Sequence, residues 1–278
     1  MQYQLSRLVA GPILRLLWRP KVTGIENVPA SGGAILASNH LSIMDSIFLP
    51  LMVDRPVTFA AKSEYFTGGG LINRATGAYM RATKQLSVDR TGARAGQEML
   101  EAALGLLRRG ALFGIYPEGT RSPDGRLYRG RVGVGWLALQ SGLPVIPVAM
   151  SGTDQVLPPG HTIPRFTSIQ ITIGEPLTFD AYRDQPWGAR ERRAVTDEVM
   201  QSIQVLSGQE YVPIYASVRK EQLAAASEPE GRGVTWTEEQ GTSNGGRRRL
   251  KAPWRRTEDT ANGASAGQDS GSRPSPGT

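Results

Sequence analysis

The sequence predicts an α/β fold, with a mixed, mostly parallel central sheet flanked by helices on both faces. It also predicts an N-terminal amphipathic helix over residues 1–19 and a disordered C-terminal tail over residues 224–278. Three observations support this organisation. Leucines recur at helical spacing near the N-terminus, apolar runs alternate with helical patterns over residues 20–223, and the last segment is polar and glycine-rich. Strands that alternate with helices are typical of βαβ units, in which helices cover a parallel sheet.

The N-terminal segment carries an apolar stripe that arginines interrupt. The stripe recurs at helical spacing and consists of Leu5, Leu8, Val9, Ile13, Leu16 and Leu17. Such a pattern is typical of a helix that lies in a membrane interface, and equally of a helix that packs on its own domain. No apolar run reaches about 18 residues, so a membrane-spanning helix is not expected.

Within residues 20–223, apolar runs of strand length alternate with helical patterns. The predicted strands are KVTGIENVP, GAILASN, RPVTFAAK, TKQLSVDR, ALFGIYPEG, LPVIPVAMSG and SIQITIGEP. The predicted helices are MDSIFLPLMV, GGGLINRATGA, ARAGQEMLEAALGLLRRG, RVGVGWLALQSG and GARERRAVTDEVMQSIQVL. Gly110 follows the most clearly amphipathic of these helices, where a glycine favours the helix end.

Composition excludes several kinds of chemistry and favours an anionic partner. The chain has 0 Cys, so disulfides, thiolate nucleophiles and cysteine-based metal sites are excluded. It has 2 His, which makes a multi-histidine zinc site unexpected, and we predict no metal and no cofactor. The formal net charge of +7 suits a phosphorylated substrate, an anionic lipid surface or a nucleic acid.

The stretch SNHLSIMDSIF places an imidazole and a carboxylate directly after a predicted buried strand. His40 and Asp45 would lie about 140° apart on one regular helix, so they cannot share a helix face. They can meet if His40 lies in the loop after the strand and Asp45 lies in the first helical turn. The carboxylate would then orient the ring and leave the other ring nitrogen as a base. The alternative is a helix-capping aspartate beside a histidine with a structural role.

Two further polar clusters follow predicted strands. In YPEGTRSPDGR, Gly119 allows close approach of the backbone, Glu118 can hold a hydroxyl or order the loop, and Arg121 can bind a phosphate with its guanidinium. In SVDRTG, Arg90 again follows a strand. Each cluster taken alone is equally compatible with an ordinary polar turn.

The combination of these segments resembles the glycerolipid acyltransferase family. NHLSIMD resembles the family's N-H-x-x-x-x-D block, which contains the HX4D motif, and YPEGTRS resembles its F-P-E-G-T-R-S block with Tyr116 in place of Phe. LSVDR and LPVIPVAMSGT resemble the family's two other blocks, in the right order. The resemblance covers about residues 20 to 180 and is strongest to the PlsC-like 1-acyl-sn-glycerol-3-phosphate acyltransferases.

This resemblance implies a function for the domain at residues 20–223. It implies acyl transfer from acyl-CoA or acyl-carrier protein to lysophosphatidic acid, giving phosphatidic acid for phospholipid biosynthesis. His40 and Asp45 would be catalytic, and the substrate-binding residues would be Lys62, Arg90, Glu118, Gly119, Thr120 and Arg121. Backbone amides near Gly119 would stabilise the oxyanion. The enzyme would bind the cytoplasmic face of the cell membrane peripherally.

Three other interpretations remain at this stage. The acceptor could be another lipid, such as a lyso-ornithine lipid or a glycolipid. A hydrolase could use Ser42 or Ser46 with His40, although residues 20–223 contain no G-x-S-x-G motif. The basic run RRRLKAPWRR in the tail could bind acidic lipid or nucleic acid. We predict a membrane surface and no nucleic acid among the partners.

Overall fold

The protein folds as alternating strands and helices, as the sequence predicts, except that the predicted helix GGGLINRATGA lies outside the residues that the structure describes. The computed structural model describes residues 2–62, 85–88, 94–158, 161 and 163–227. The helices are α1 (Gln2–Trp18), α2 (Asp45–Met52), α3 (Ala95–Arg108), α4 (Gly133–Ser141), α5 (Thr153–Val156), α6 (Ala189–Ser207) and α7 (Ala216–Ser227). The strands are β1 (Lys21–Thr23), β2 (Ala34–Ser38), β3 (Val57–Lys62), β4 (Leu86–Val88), β5 (Leu112–Ile115), β6 (Leu127–Tyr128), β7 (Val145–Ser151), β8 (Gln170–Ile173) and β9 (Tyr211–Val212).

The central sheet is mixed and mostly parallel, which confirms the predicted fold class. Its strand order is β1-β8-β7-β2-β5-β3-β4. Each neighbouring pair is parallel except β7 with β8, which is antiparallel. Strands β2, β3, β5 and β7 therefore end at one edge of the sheet. In open α/β sheets, this carboxyl edge is where ligands usually bind.

Helices cover both faces of the sheet because the side chains of its central strands alternate between two cores. In β2, Ala34 and Leu36 belong to the core under α1 and α2, while Ile35 and Ala37 belong to the core under α3, α4 and α6. All five residues of β2 are buried. A strand buried on both faces reads as a continuous apolar run, which is how it was recognisable in the sequence.

Helix α1 has one face against the domain and one face in solvent. Ala10, Leu14 and Trp18, spaced four residues apart, pack on the core under α2. The indole of Trp18 also donates a hydrogen bond to the carbonyl of Arg165, at 2.8 Å. The exposed side chains described on this helix include the apolar Leu8, Ile13, Leu16 and Leu17, with Arg15 beside them. In the described part of the chain, no helix is long and apolar enough to span a bilayer.

The C-terminal part of the described chain adds structure that the sequence did not predict. Strand β9 pairs with β6 in a small parallel sheet, and α7 follows it. Helix α7 runs to Ser227 and so crosses the predicted domain end at residue 223. The rest of the predicted tail, including the basic run at 247–256, lies outside the described residues.

Candidate active site

His40 and Asp45 meet at the carboxyl edge of β2 in the geometry that their spacing requires. Strand β2 ends at Ser38, His40 lies in the following loop, and Asp45 is the first residue of α2. The Nδ1 atom of His40 lies 2.9 Å from Oδ2 of Asp45. The imidazole keeps 16% of its side-chain surface exposed, whereas Asp45 has none. The pair thus joins a reachable base to a buried carboxylate.

The carboxylate of Asp45 is held by more than the imidazole. Its Oδ2 also accepts hydrogen bonds from the backbone N–H groups of Leu41, at 2.7 Å, and Ser42, at 2.9 Å. Three donors therefore converge on one oxygen, and they fix the loop and the ring together. The other oxygen, Oδ1, is buried and has no hydrogen-bond partner among the described residues. Such convergence leaves Nδ1 of His40 as the hydrogen donor and Nε2 as the basic nitrogen.

The imidazole is also held by an aromatic ring from the second motif. The rings of His40 and Tyr116 are stacked, with centroids 3.8 Å apart and planes 7° apart. The hydroxyl of Tyr116 lies 2.9 Å from Oγ of Ser46 on α2. The tyrosine that replaces the family's usual phenylalanine therefore joins the two motifs through its hydroxyl as well as its ring.

Glu118 is buried behind the His40 loop, where its carboxylate binds backbone groups. Oε2 accepts the N–H of His40 at 3.0 Å, and Oε1 accepts the N–H of Tyr128 at 2.9 Å. Burial raises the pKa of Glu118 to about 7, against the opposing effect of these two hydrogen bonds and of Lys220, while Asp45 adds to the rise. The backbone of Ser122 also holds the His40 loop, because its N–H donates a hydrogen bond to the carbonyl of His40 at 2.7 Å.

The sequence left two roles open for Glu118, which were to hold a substrate hydroxyl or to order the loop. These contacts distinguish between them. Both carboxylate oxygens face backbone N–H groups, so the side chain braces the loop that carries His40. Asn39 braces the same loop from the other side. Its amide exchanges two hydrogen bonds with the backbone of Met150 in β7, at 2.9 and 2.8 Å. Only the family resemblance includes Asn39 in a block, and the sequence alone gave it no role.

We expect Glu118→Gln to lower kcat more than it raises the KM for the acceptor. A glutamine can accept only one of the two backbone hydrogen bonds through its single oxygen, and its NH₂ group faces the other N–H. The His40 loop should therefore lose its geometry while the acceptor contacts remain. Steady-state kinetics with both substrates measures the split. A change confined to the KM for the acceptor would instead show that Glu118 contacts the acceptor.

The same residue should make stability depend on pH. Because the native pKa is about 7 and the ordinary value is 4.5, the folded state holds the proton more tightly. The free energy of unfolding should therefore fall as pH rises from about 4.5 to about 7. Denaturant unfolding of the wild type and Glu118→Gln at pH 5 and pH 8 measures this. The stability advantage of the wild type over the variant should shrink at pH 8, and an unchanged advantage would contradict the shift.

Gly119, Thr120 and Arg121 form the turn that follows β5. Gly119 has a φ of 74°, and an added Cβ would lie 2.8 Å from Nε of Arg131, so the turn requires glycine. Its N–H donates to the carbonyl of Tyr116 at 2.9 Å. The amide of Gly119 is therefore committed to the turn, which argues against its use as an oxyanion donor. Thr120 accepts a hydrogen bond from Lys220, and Arg121 is exposed beside it.

Two of the predicted binding residues are placed only in part or not at all. Lys62 is the last residue of β3, and its backbone pairs with Val88 of β4 at the carboxyl edge of the sheet. Its side chain lies outside the described part of the structure. Arg90 lies outside the described residues entirely. Lys220, in contrast, reaches the turn from α7 and had no signal in the sequence.

A cleft of about 530 Å³ opens beside the His40 loop. One wall comes from the loops that carry Leu41 and Ser122, and the other comes from the segment between α5 and β8, which includes Phe166. This volume lies in the range of small-molecule sites, roughly 300–1,000 Å³. Leu41, the residue after His40, lines this cleft, so the cleft lies beside the loop that carries the candidate base.

Comparisons with known proteins identify the family of this chain. A family model described as Acyltransferase matches residues 19–151. The 1-acyl-sn-glycerol-3-phosphate acyltransferase of Bacillus subtilis is 30% identical over 190 residues, which cover 68% of this chain and 87% of that protein. The chloroplastic LPAT1 of Arabidopsis thaliana is 28% identical over 62% of this chain. The chain spans about half the length of such plant relatives, since 48% of LPAT1 is covered.

A solved structure is also similar to this chain. The 1-acyl-sn-glycerophosphate acyltransferase PlsC of Thermotoga maritima matches with a TM-score of 0.52 and 26% identity. The match covers 73% of this chain and 82% of that one. The mixed, mostly parallel sheet fits this structural neighbour. The chain belongs to the glycerolipid acyltransferases, as a PlsC-like member.

Proposed function

We propose that the protein transfers a fatty acyl group from acyl-CoA or acyl-carrier protein to the free hydroxyl of 1-acylglycerol-3-phosphate. The product is phosphatidic acid, the precursor of phospholipids. The observation that carries this proposal is the His40–Asp45 pair at 2.9 Å, braced from the turn that contains Glu118 and Arg121. Relatives named for this activity support the choice of acceptor.

The chemistry follows from the tautomer that Asp45 imposes. Nε2 of His40 removes the proton of the acceptor hydroxyl as its oxygen attacks the thioester carbonyl carbon. The resulting imidazolium is stabilised by the buried carboxylate of Asp45. Collapse of the tetrahedral intermediate breaks the C–S bond, and the imidazolium returns the proton to the departing thiolate. No acyl-enzyme forms, which agrees with the absence of cysteine from the chain.

The serines near His40 have other hydrogen bonds in the structure. Oγ of Ser42 accepts the N–H of Met44 at 3.3 Å, and Oγ of Ser46 pairs with the hydroxyl of Tyr116. These contacts favour direct transfer over a serine hydrolase mechanism.

The acceptor is distinguished by its phosphate. Arg121 provides a guanidinium on the turn, and Arg90 and Lys62 are the other proposed phosphate ligands from the family resemblance. Purified protein should therefore be offered lysophosphatidic acid, monoacylglycerol, lyso-ornithine lipid and a glycolipid in parallel, each with acyl-CoA. We expect lysophosphatidic acid to give the highest kcat/KM, by at least tenfold. A higher value for either of the last two lipids would overturn the acceptor assignment in favour of the alternative.

We also propose that the enzyme docks peripherally on the cytoplasmic leaflet through α1. Its exposed face is apolar, with Leu16 72% exposed, and Arg15 and Arg19 flank it in solvent. Arginines near an anionic leaflet contribute about 1 kcal/mol each. Phe166, also 72% exposed, contacts Trp18 with ring centroids 5.4 Å apart and continues the apolar surface toward the cleft. A membrane at this surface would place a lipid acceptor next to the cleft.

The double variant Leu8→Gln/Leu16→Gln should weaken sedimentation with anionic liposomes by about tenfold, since both leucines lose apolar burial in the interface. Activity on bilayer-embedded acceptor should fall with it, while activity on a short-chain soluble acceptor should fall less. Deleting the helix is a poorer test, because Leu14 and Trp18 also pack on the domain and their loss would destabilise the fold.

A matched control is available on the opposite face of the sheet. Val205 of α6 is 78% exposed, and Val205→Gln removes a similar apolar group there. We expect this control to keep its liposome binding and both substituted proteins to keep the wild-type Tm. Unchanged liposome binding by the α1 variant, or an equal loss in the control, would contradict docking through α1.

A further inference from the structure

Residues just before α7 in the chain make contacts that hold this helix against the Gly119 turn. Strand β9 pairs with β6, and the N–H of Arg129 donates to the carbonyl of Ile214 at 3.0 Å. Two guanidinium groups lie over the ring of Tyr215, with Arg131 at 5.3 Å and Arg129 at 5.6 Å from its centroid. These contacts hold the first turn of α7 in place beside the Gly119 turn.

This placement brings the ammonium of Lys220 to the turn. Its Nζ donates a hydrogen bond to Oγ1 of Thr120 at 2.6 Å, across 100 positions of sequence. The neighbouring charges are Arg121 and Glu118, on the same turn. Partial burial and the charge of Arg121 lower the pKa of Lys220, and Glu118 opposes that effect. The side chain is thus oriented, partly desolvated and next to a second cation.

Two cations close together repel each other, and an anion that binds both offsets this repulsion. Glu118 gives both of its oxygens to backbone N–H groups, those of His40 and Tyr128. Among the described residues, neither Lys220 nor Arg121 forms an ion pair with a carboxylate. Arg219, one position earlier on α7, differs in this respect, since it pairs with Asp124 at 3.5 Å. The two cations are therefore available to an anion that a ligand carries.

We propose that Lys220 binds the phosphate of the acceptor together with Arg121, and that Thr120 positions its ammonium. Helix α7 is then part of the acceptor site, although it lies about 100 residues beyond the turn it completes. An ammonium and a guanidinium at one phosphate give charge-assisted hydrogen bonds from two directions. The inference rests on the proposed function, because it takes the acceptor to be a lysophospholipid with a terminal phosphate.

The test compares Lys220→Met with Lys220→Arg in steady-state kinetics. Lys220→Met should raise the KM for lysophosphatidic acid about tenfold or more and leave the KM for acyl-CoA within twofold. Lys220→Arg keeps the charge and should restore the KM for lysophosphatidic acid to within about threefold. With monoacylglycerol, which lacks the phosphate, wild type and Lys220→Met should have equal kcat/KM.

Arg219→Gln is the matched control, because it removes the same charge from the same helix. It should leave both KM values within twofold, whereas Arg121→Ala should repeat the Lys220→Met result. The proposal is overturned if wild type forms phosphatidic acid while Lys220→Met keeps its KM, if Arg219→Gln gives the same rise, or if both substrates are affected equally. Absence of phosphatidic acid from the wild-type reaction would instead refute the proposed function.

Discussion

Replacing His40 by Ala is expected to lower kcat by about 10²- to 10⁴-fold, which is the usual contribution of a positioned general base. Asp45 holds Nδ1 at 2.9 Å, Tyr116 stacks on the ring, and Nε2 is left as the basic nitrogen at the carboxyl edge of the sheet. Initial rates with saturating acceptor and donor measure kcat directly, and KM values for both should change little.

His161→Ala provides the matched control for this experiment. His161 is the second of the 2 His in the chain and lies exposed in a loop, where Nε2 is 2.9 Å from Arg165. We expect its replacement to leave kcat within twofold of the wild type. Circular dichroism should show that His40→Ala keeps its secondary structure, since the backbone of the loop stays bound to Glu118 and Asp45. Activity of His40→Ala within a few-fold of wild type would exclude the mechanism.

Asp45→Asn is expected to be nearly as severe, with kcat lowered by about 10²-fold or more, and it separates charge from geometry. All three donors that bind Asp45 converge on Oδ2, so an asparagine can place its carbonyl oxygen there and keep all three hydrogen bonds. The NH₂ group then occupies the position of Oδ1, which has no partner among the described residues. What is lost is the negative charge that stabilises the imidazolium.

Asp45→Ala tests the structural part of the same interaction. It removes both the charge and the acceptor of the Leu41 and Ser42 N–H groups, so stability should fall by about 1–3 kcal/mol in addition to the loss of kcat. Denaturant unfolding distinguishes the two variants. If Asp45→Asn kept a kcat close to that of wild type while Asp45→Ala lost it, the carboxylate would act only by orienting the loop.

Local patterns in the sequence were sufficient for most of the fold. Buried strands such as β2 and β7 are continuous apolar runs, and α3 has clear amphipathic spacing, so each was predicted in place. The spacing of His40 and Asp45 also predicted a strand, a loop and a first helical turn. These features depend on residues that are close together in the chain, so they can be recognised from the sequence alone.

What the sequence could not provide were contacts between distant segments. Strands β6 and β9 have two residues each, which is too short for a periodic pattern, and their pairing places α7 over the Gly119 turn. The 2.6 Å contact of Lys220 with Thr120 exists only because of that pairing. The role of Glu118 needed the fold for the same reason, since its partners are backbone groups of two other segments. For α1, the sequence pattern was compatible with packing on the domain and with exposure at a membrane surface. In the structure, one face of the helix packs on the domain and another is exposed.

A single labelling reaction distinguishes direct acyl transfer by His40 from hydrolysis and from an acyl-enzyme route. Purified protein is incubated with lysophosphatidic acid and a ¹³C-labelled acyl group, carried on CoA in one reaction and on acyl-carrier protein in another, and lipids and intact protein are analysed by mass spectrometry. We predict labelled phosphatidic acid from at least one donor, formed by the wild type and not by His40→Ala, with no labelled acyl group on the protein. Labelled free fatty acid without phosphatidic acid, or a labelled acyl-enzyme, would contradict direct transfer to a glycerophosphate hydroxyl by His40.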